Sequence, residues 1–194
     1  MSKRMGTCKQ LVKVNGACLL QWVVSAAVES DLLCVYLILG DNADRILKVL
    51  PQLASTGKIS ILNNPRYETG MSSSVQCGVL AAQKHVENVM FILGDQPFFS
   101  AAMINLLLQE HEHSGKNICL PTCKNRHGNP VLFSKKYYSR LLEVEGDQGG
   151  RTIVRDNPAD VHTVEIRNPN ALFDIDTTED LNELHRRLGI TNPF

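Results

Sequence analysis

Short runs of apolar residues alternate with segments of helical periodicity along this sequence. Residues 32–39 (LLCVYLIL) and 89–93 (VMFIL) are apolar throughout, and a glycine follows each run. Parallel strands that are covered on both faces have this composition, and both runs are far shorter than the ~20 apolar residues of a membrane-spanning helix. Apolar residues at helical spacing precede each run, for example within residues 17–30 and 71–86. The alternation predicts an α/β fold in which helices cover both faces of a mostly parallel sheet.

Length and charge limit the number of domains and the kinds of partner that this chain can have. The chain has 194 residues, which fits a single domain over residues 1–194. Lysine plus arginine equals aspartate plus glutamate at 20 each, so no overall positive field attracts nucleic acid. No apolar stretch is long enough for a membrane span, and no apolar segment follows the charged N-terminal residues, as it would in a signal peptide. The scattered cysteines are typical of reduced thiols that pack inside a cytoplasmic protein. They are Cys8, Cys18, Cys34, Cys77, Cys119 and Cys123.

Asp95 is the strongest candidate for a functional carboxylate. It follows the apolar run 89–93 and is flanked by Gly94 and Gln96. Ligands of open α/β sheets bind beyond the carboxyl ends of the strands, so this position places a carboxylate where a ligand would lie. An aspartate in an ordinary turn explains the same pattern, and the local sequence leaves both interpretations open.

A second acidic segment lies near the end of the sequence, at residues 173–181 (FDIDTTEDL). In an extended chain, Asp174 and Asp176 point to the same face, so their carboxylates could chelate a cation. Together with Asp95, these oxygen ligands suit Mg²⁺. The alternative is a helix cap, because Asp176 or Thr177 is a favourable N-cap and an acidic residue three positions later would complete a capping box. Local signals favour capping, and adjacent residues can serve both purposes.

Two other segments carry groups that bind anions. Near the N-terminus, Arg4 and Lys9 flank Gly6 without matching a P-loop, and a solvated basic tail explains this segment equally well. Residues 70–74 (GMSSS) open a predicted helix, where backbone N–H groups and hydroxyls can meet a phosphate or a ribose. Simple capping of that helix is the alternative. The sequence has no G-x-G-x-x-G fingerprint and no G-x-S-x-G motif, so neither a dinucleotide-binding Rossmann domain nor an acyl-transfer hydrolase is supported.

Six segments together, in the same order, resemble the nucleotidyltransferases typified by molybdenum cofactor cytidylyltransferase, within the wider MobA-like group. That family begins with a strand and a loop of the form L-A-A-G-x-S-x-R-M-G-x-x-K, and residues 2–9 (SKRMGTCK) match the second half of the loop. The other matching segments are 64–65 with 70–74 (NP and GMSSS), 94–97 (GDQP), 128–131 (GNPV), 146–151 (GDQGGR) and 174–180 (DIDTTED). The resemblance implies a three-layer, Rossmann-like fold of the GT-A type.

The resemblance also implies a role for each matching position. The implied catalytic residues are Arg4, Lys9 and Asp95, and the implied metal ligands are Asp95 and Asp176. The residues implied to bind the nucleotide are Gly6, Asn64, Gly70, Ser73 and Ser74. The residues implied to bind the acceptor are Gly128, Asn129, Pro130, Asp147, Gln148, Gly149 and Arg151. No protein nucleophile is required, because the implied reaction is a direct in-line transfer.

The implied activity is the Mg²⁺-dependent transfer of CMP from CTP to molybdopterin, in its molybdate-bound form, with release of pyrophosphate. GTP as the nucleotide and a sugar 1-phosphate as the acceptor stay open, as does a non-catalytic protein that carries the molybdenum cofactor. Both acidic segments favour the enzyme, since a carrier needs no pair of metal carboxylates. The implied partners are small-molecule substrates and, by analogy, a molybdenum hydroxylase apo-enzyme that receives the product.

The sequence begins within the signature loop of the family it resembles. The first strand of that fold is central in the sheet, and a chain without it would leave two rows of backbone donors and acceptors unpaired. We therefore expect that a strand precedes Met1 in the natural protein, and that the chain without it is neither fully stable nor fully active. Upstream coding sequence in frame with Met1 would support this expectation, and a stop codon directly before it would contradict it.

Overall fold

The computed structural model describes residues 8–54, 56–175 and 177–187. The strands in these ranges are β1 (Lys13–Val14), β2 (Ala17–Cys18), β3 (Val35–Leu39), β4 (Ile59–Asn63), β5 (Asn88–Phe91), β6 (Ile118–Cys123), β7 (Arg126–His127), β8 (Val131–Ser134) and β9 (Val161–Glu165). The helices are α1 (Leu19–Glu29), α2 (Ala43–Val49), α3 (Met71–Ala82), α4 (Ala101–Ser114), α5 (Tyr138–Leu142), α6 (Arg151–Asp156) and α7 (Thr178–Arg187). Among these helices, none is long and apolar enough to cross a membrane. The predicted alternation of strands and helices is confirmed.

The main strands form two separate sheets. β3 and β4 pair in parallel, with Val35 opposite Ile59 and Leu39 opposite Asn63. The larger sheet has the order β5-β8-β6-β7, and β9 pairs in parallel with β6. Strand β8 is antiparallel to both β5 and β6. The fold is therefore α/β and Rossmann-like as predicted, and its sheets combine parallel and antiparallel pairs.

Helices cover both faces of the larger sheet. Ile118 and Leu120 of β6 pack with Val79 of α3 and Leu141 of α5 in one buried cluster. Cys119, which lies between them in the sequence, packs with residues of α1 and α4 in another cluster. Successive side chains of a strand point to opposite faces, so this pattern requires apolar cover on both sides. The two sets of helices are the outer layers of a three-layer fold.

The side chains of Ser100 and Thr177 cap helices α4 and α7. Ser100 Oγ accepts a hydrogen bond from Met103 N at 3.4 Å at the start of α4. Thr177 caps α7, because its Oγ1 accepts from Asp180 N at 3.1 Å while Asp180 Oδ2 accepts from Thr177 N at 2.8 Å. Asn42 precedes α2 but makes no side-chain cap, since it has a φ of +64° and bonds the neighbouring aspartate.

Apolar periodicity does not predict two elements that the structure contains. A hairpin of β1 and β2 turns at Asn15 and Gly16, whose φ angles are +53° and +84°. Asn-Gly is a strong signal for such a turn, because both central residues need a positive φ. Trp22 Nε1 donates to the carbonyl oxygen of Val14 at 3.0 Å, which ties the hairpin to α1. The second element is α6, which begins directly after Gly150 and is too short to show a clear period.

Asp160 joins the start of β9 to its neighbours. Its carboxylate accepts hydrogen bonds from Lys136 Nζ at 2.7 Å, Tyr137 OH at 2.8 Å and Asn117 Nδ2 at 3.0 Å. Burial by itself would raise the pKa of Asp160, but the hydrogen bonds, led by that of Lys136, outweigh it and hold the pKa below its ordinary range. The ionised carboxylate therefore stabilises this part of the fold.

The six cysteines are free thiols. Cys8, Cys18 and Cys119 are buried, as predicted for packing residues, whereas the other three are partly exposed. Burial, with a smaller effect of Glu110, raises the pKa of the Cys119 thiol to about 12. This thiol is therefore protonated and unreactive at neutral pH.

Candidate active site

An ion pair lies beyond the end of β5, where the sequence predicts a functional carboxylate. Lys9 Nζ donates a hydrogen bond to Asp95 Oδ2 at 2.7 Å, although the two residues are 86 positions apart. The Lys9 side chain is only 6% exposed, and that of Asp95 is 26% exposed. The short 3-10 turn Lys9–Leu11 holds the lysine at this edge. The structure thus brings together two of the three residues implied to be catalytic, and the third, Arg4, lies outside the described residues.

The second carboxylate oxygen of Asp95 is suited to a cation. Asp95 Oδ1 is buried and has no hydrogen-bond partner within the part of the chain that the structure describes. A buried oxygen of this kind is costly unless a donor or a cation meets it, and Mg²⁺ prefers carboxylate oxygens. Asp176, the other implied metal ligand, lies outside the described residues. Within those residues no group of three acidic, histidine or cysteine side chains could hold a metal ion, so a cation at Asp95 needs further ligands.

The second acidic segment lies directly beside Asp95. Ile175 N donates to the backbone oxygen of Asp95 at 3.3 Å, and Gln96 Nε2 donates to Asp174 Oδ1 at 2.6 Å. Gln96 and Ile175 are both buried, whereas Asp174 is exposed, so the bond from Gln96 to Asp174 is only partly shielded from water. The structure therefore brings the two acidic segments together. The sequence assigns Gln96 no role beyond flanking Asp95, and its contact with Asp174 becomes visible only in the tertiary structure.

Asn64 organises the segment that is implied to contact the nucleotide. Its side-chain Nδ2 donates to Ser73 Oγ at 2.9 Å and to Ser74 Oγ at 3.0 Å, while its Oδ1 accepts from Arg66 N at 3.0 Å. Ser73 Oγ in turn donates to the carbonyl oxygen of Gly70 at 2.8 Å. Asn64 is only 2% exposed. Its amide therefore holds the turn after β4 against the start of α3.

The start of α3 is capped from a distant loop. Asp147 Oδ1 accepts from Met71 N at 3.1 Å, and the carbonyl oxygen of Gly146 accepts from Ser72 N at 2.9 Å. The serines of the GMSSS segment do not cap these N–H groups. The interpretation that these serines cap α3 is therefore wrong. Gly70 has a φ of +104°, and a Cβ added there would lie 2.6 Å from the Gly146 oxygen. This contact requires glycine, and it joins the implied nucleotide segment to the implied acceptor segment.

The turn before β8 lies very close to the segment around Leu172, and Gly128 allows this close approach. Gly128 N donates to the carbonyl oxygen of Pro121 at 2.9 Å. A Cβ added to Gly128 would lie 2.5 Å from a side-chain carbon of Leu172. Glycine therefore lets this turn pack against the segment that leads to Asp174.

A cavity of about 1090 Å³ adjoins these segments. Six of the residues implied to bind substrates line it, namely Ser74, Gly128, Asn129, Gln148, Gly149 and Arg151. Gln10 and Gly94, the neighbours of Lys9 and Asp95, also line it, so the ion pair lies at its edge. The remaining implied residues within the described ranges, Asn64, Gly70, Ser73, Pro130 and Asp147, support the lining rather than form it. Gly6 lies outside the described residues.

Known proteins share both the sequence pattern and the fold. The family model of the MobA-like NTP transferase domain matches residues 1–163. The chain is 25% identical over 182 residues to the molybdenum cofactor cytidylyltransferase of Escherichia coli (strain K12). The matched region covers 93% of this chain and 88% of that protein. It is also 25% identical over 190 residues to the nicotine blue oxidoreductase of Paenarthrobacter nicotinovorans, and this match covers 94% of this chain and 90% of that protein.

A solved structure with the same fold is that of Rv0371c from Mycobacterium tuberculosis H37Rv. It matches with a TM-score of 0.80 at 20% identity, over 95% of this chain and 92% of that chain. A structure of the same protein in complex with manganese matches with a TM-score of 0.75 at 19% identity, over 93% and 92%. The likeness at these identities concerns the fold alone. The family model, by contrast, covers most of the sequence and includes the Lys9–Asp95 pair, so this chain belongs to the MobA-like NTP transferase family and is a nucleotidyltransferase.

Proposed function

We propose that this nucleotidyltransferase transfers CMP from CTP to molybdopterin and releases pyrophosphate, with Mg²⁺ as its metal. The observation that carries the proposal is the partly buried Lys9–Asp95 ion pair, in which one oxygen of Asp95 has no partner among the described residues. Such a site offers a positive charge to phosphates and a carboxylate to a cation. The cytidylyltransferase of Escherichia coli, at 25% identity, supports CTP and molybdopterin as the substrates.

The proposed reaction joins two phosphates without a covalent enzyme intermediate. An oxygen of the acceptor phosphate forms a bond to the α-phosphorus of CTP, and the bond from that phosphorus to the pyrophosphate oxygen breaks. Lys9 and Arg4 hold the triphosphate and stabilise the charge that develops on the leaving pyrophosphate. A divalent ion held by Asp95 and Asp176 would neutralise phosphate charge. No activated serine or cysteine is needed.

The acceptor is proposed to bind at the polar part of the cavity. Asn129, Gln148 and Arg151 line it and offer amide and guanidinium donors. These groups suit a phosphorylated, heteroatom-rich acceptor such as molybdopterin, and a guanidinium binds phosphate in a bidentate manner. The nucleotide would then lie between this part of the cavity and the Lys9–Asp95 pair. A molybdenum hydroxylase apo-enzyme is the proposed recipient of the product.

Pyrophosphate release tests the proposal. The assay contains this chain, molybdopterin, Mg²⁺ and one of CTP, GTP, ATP or UTP. We expect release with CTP, and a loss of at least about 100-fold in Asp95→Asn, because the carboxylate charge is removed while the shape is kept. Removal of the metal with EDTA should abolish release, and added Mg²⁺ should restore it.

The matched control is Asp31→Asn, because Asp31 is an exposed aspartate in the bend between α1 and β3. This variant should keep the activity of the parent. Release with GTP alone would show that the proposed nucleotide is wrong, and release only with a sugar 1-phosphate would show that the proposed acceptor is wrong. Equal activity of Asp95→Asn and Asp31→Asn would exclude Asp95 from the reaction.

A further inference from the structure

The tight turn after β5 carries both Asp95 and Gln96, and their side chains make different contacts. Gln96 N closes the turn, because it donates to the carbonyl oxygen of Leu93 at 3.4 Å. The Asp95 carboxylate accepts from Lys9, whereas Gln96 Nε2 donates to Asp174 Oδ1 at 2.6 Å. Gln96 is only 3% exposed, although glutamine side chains are mostly found at the surface. The fold therefore buries this amide and directs it to one carboxylate.

Two further contacts hold the segment to which Asp174 belongs. Ile175 N donates to the backbone oxygen of Asp95 at 3.3 Å. The Ile175 side chain is fully buried in a cluster that also contains Val14, Leu19 and Leu184. Asp174, the preceding residue, is exposed, so burial of its own side chain does not fix its carboxylate. Ile175 thus anchors the segment in the core, and the bond from Gln96 determines where the Asp174 carboxylate lies.

The chemistry of glutamine suits this position. The formal charges of Lys9 and Asp95 cancel in their ion pair, so a divalent cation at Asp95 Oδ1 needs negative charge from the neighbouring segment. A lysine or arginine in place of Gln96 would neutralise Asp174, and a glutamate would repel it. The glutamine amide donates a hydrogen bond and carries no charge. It therefore holds the Asp174 carboxylate without changing the charge that a cation meets.

We propose that Gln96 is a positioning residue, which holds the Asp174 carboxylate beside Asp95 and thereby raises the affinity of this site for a divalent cation. The inference rests on the proposed function, because it requires that Asp95 receives such a cation. Gln96 is not among the residues that line the cavity, so it acts through Asp174 rather than on a substrate. Hydrogen-bond partners of this kind typically change metal affinity by 10- to 100-fold when they are removed.

Binding of Mn²⁺ without nucleotide tests this proposal, with the free ion measured by electron paramagnetic resonance. Gln96→Met keeps the length of the side chain and removes the donor, and it should weaken Mn²⁺ binding at least about tenfold. In the transfer assay, it should raise the Mn²⁺ concentration for half-maximal rate by a similar factor and leave kcat at saturating Mn²⁺ within about twofold. The matched control is Gln109→Met, an exposed position of α4, which should change neither quantity.

A double-variant cycle separates positioning from a general effect on the fold. Asp174→Asn changes an exposed side chain, so it should fold like the parent, and it should weaken Mn²⁺ binding about as much as Gln96→Met does. If Gln96 acts through Asp174, the variant with both changes should bind Mn²⁺ no more weakly than Asp174→Asn alone. Losses that add up in the double variant would show that Gln96 affects the site by another route and would overturn the proposal.

The remaining outcomes distinguish this inference from the proposed function. Equal Mn²⁺ affinity of Gln96→Met and Gln109→Met, in a parent that binds Mn²⁺ and transfers the nucleotide, would overturn the role of Gln96 and leave the reaction established. A parent that binds no Mn²⁺ with or without nucleotide would contradict the metal in the proposed function, and the inference would fail with it. Weaker Mn²⁺ binding in Gln96→Met, together with a parent that transfers no nucleotide, would contradict the reaction and support the role of Gln96 in the metal site.

Discussion

Removal of the Lys9 ammonium group tests whether its ion pair with Asp95 organises the end of β5. In Lys9→Met, a side chain of similar length remains, but Asp95 Oδ2 loses its partner at 2.7 Å, and Oδ1 already has none among the described residues. Removing one partner of a fully buried pair costs about 3–5 kcal/mol. Asp95 is 26% exposed, so water compensates part of the loss, and we expect a decrease of about 3 kcal/mol in the free energy of unfolding. For a chain of this size, the melting temperature should fall by about 6–12 °C.

Urea unfolding followed by circular dichroism measures this loss. The matched control is Lys13→Met, because Lys13 is exposed and its replacement should change the free energy of unfolding by no more than about 0.5 kcal/mol. Asp95→Asn and the double variant complete a thermodynamic cycle, with an expected coupling energy of about 1–3 kcal/mol. A loss in Lys9→Met no greater than in Lys13→Met, or a coupling energy near zero, would refute the reasoning, because the pair would then behave as a surface ion pair.

Three further predictions concern other parts of the fold. Gly70→Ala should lower the free energy of unfolding by about 1–3 kcal/mol, because Gly70 has a φ of +104° and lies against the carbonyl oxygen of Gly146. The control Gly57→Ala should be neutral, because there is open space around Gly57. Thermal unfolding of both variants measures the difference. Folding lowers the pKa of Asp160, so the stabilisation by its carboxylate is present above about pH 4 and is lost as the pH falls further. Asp160→Asn should therefore flatten the dependence of the free energy of unfolding on pH between about pH 5 and 2. Parallel curves for the two proteins would contradict this prediction. At pH 8, a thiol reagent should modify the partly exposed Cys34 before Cys119, as mass spectrometry of the digested protein would show; equal rates would contradict the assigned burial.

Most of the confirmed predictions rest on patterns among residues that are close together in the sequence. The apolar run 89–93 contains most of β5, and Thr177 caps α7 with Asp180 three positions later, as one interpretation of that segment predicts. Both depend on neighbours within a few positions, which a sequence displays directly. The hairpin over residues 13–18 shows a local signal, Asn15-Gly16, that apolar periodicity alone does not detect.

The amino-acid sequence by itself determined the alternation of strands and helices, the order of the family motifs and the placement of Asp95 after an apolar strand. Only the tertiary structure decided that Lys9 pairs with Asp95 and that the amide of Asn64 bonds to two serines. The physical reason is that periodicity reports which face of an element is buried, whereas the hydrogen-bond partner of a buried group depends on which distant segment reaches it. Packing selects that segment, and no local pattern encodes it.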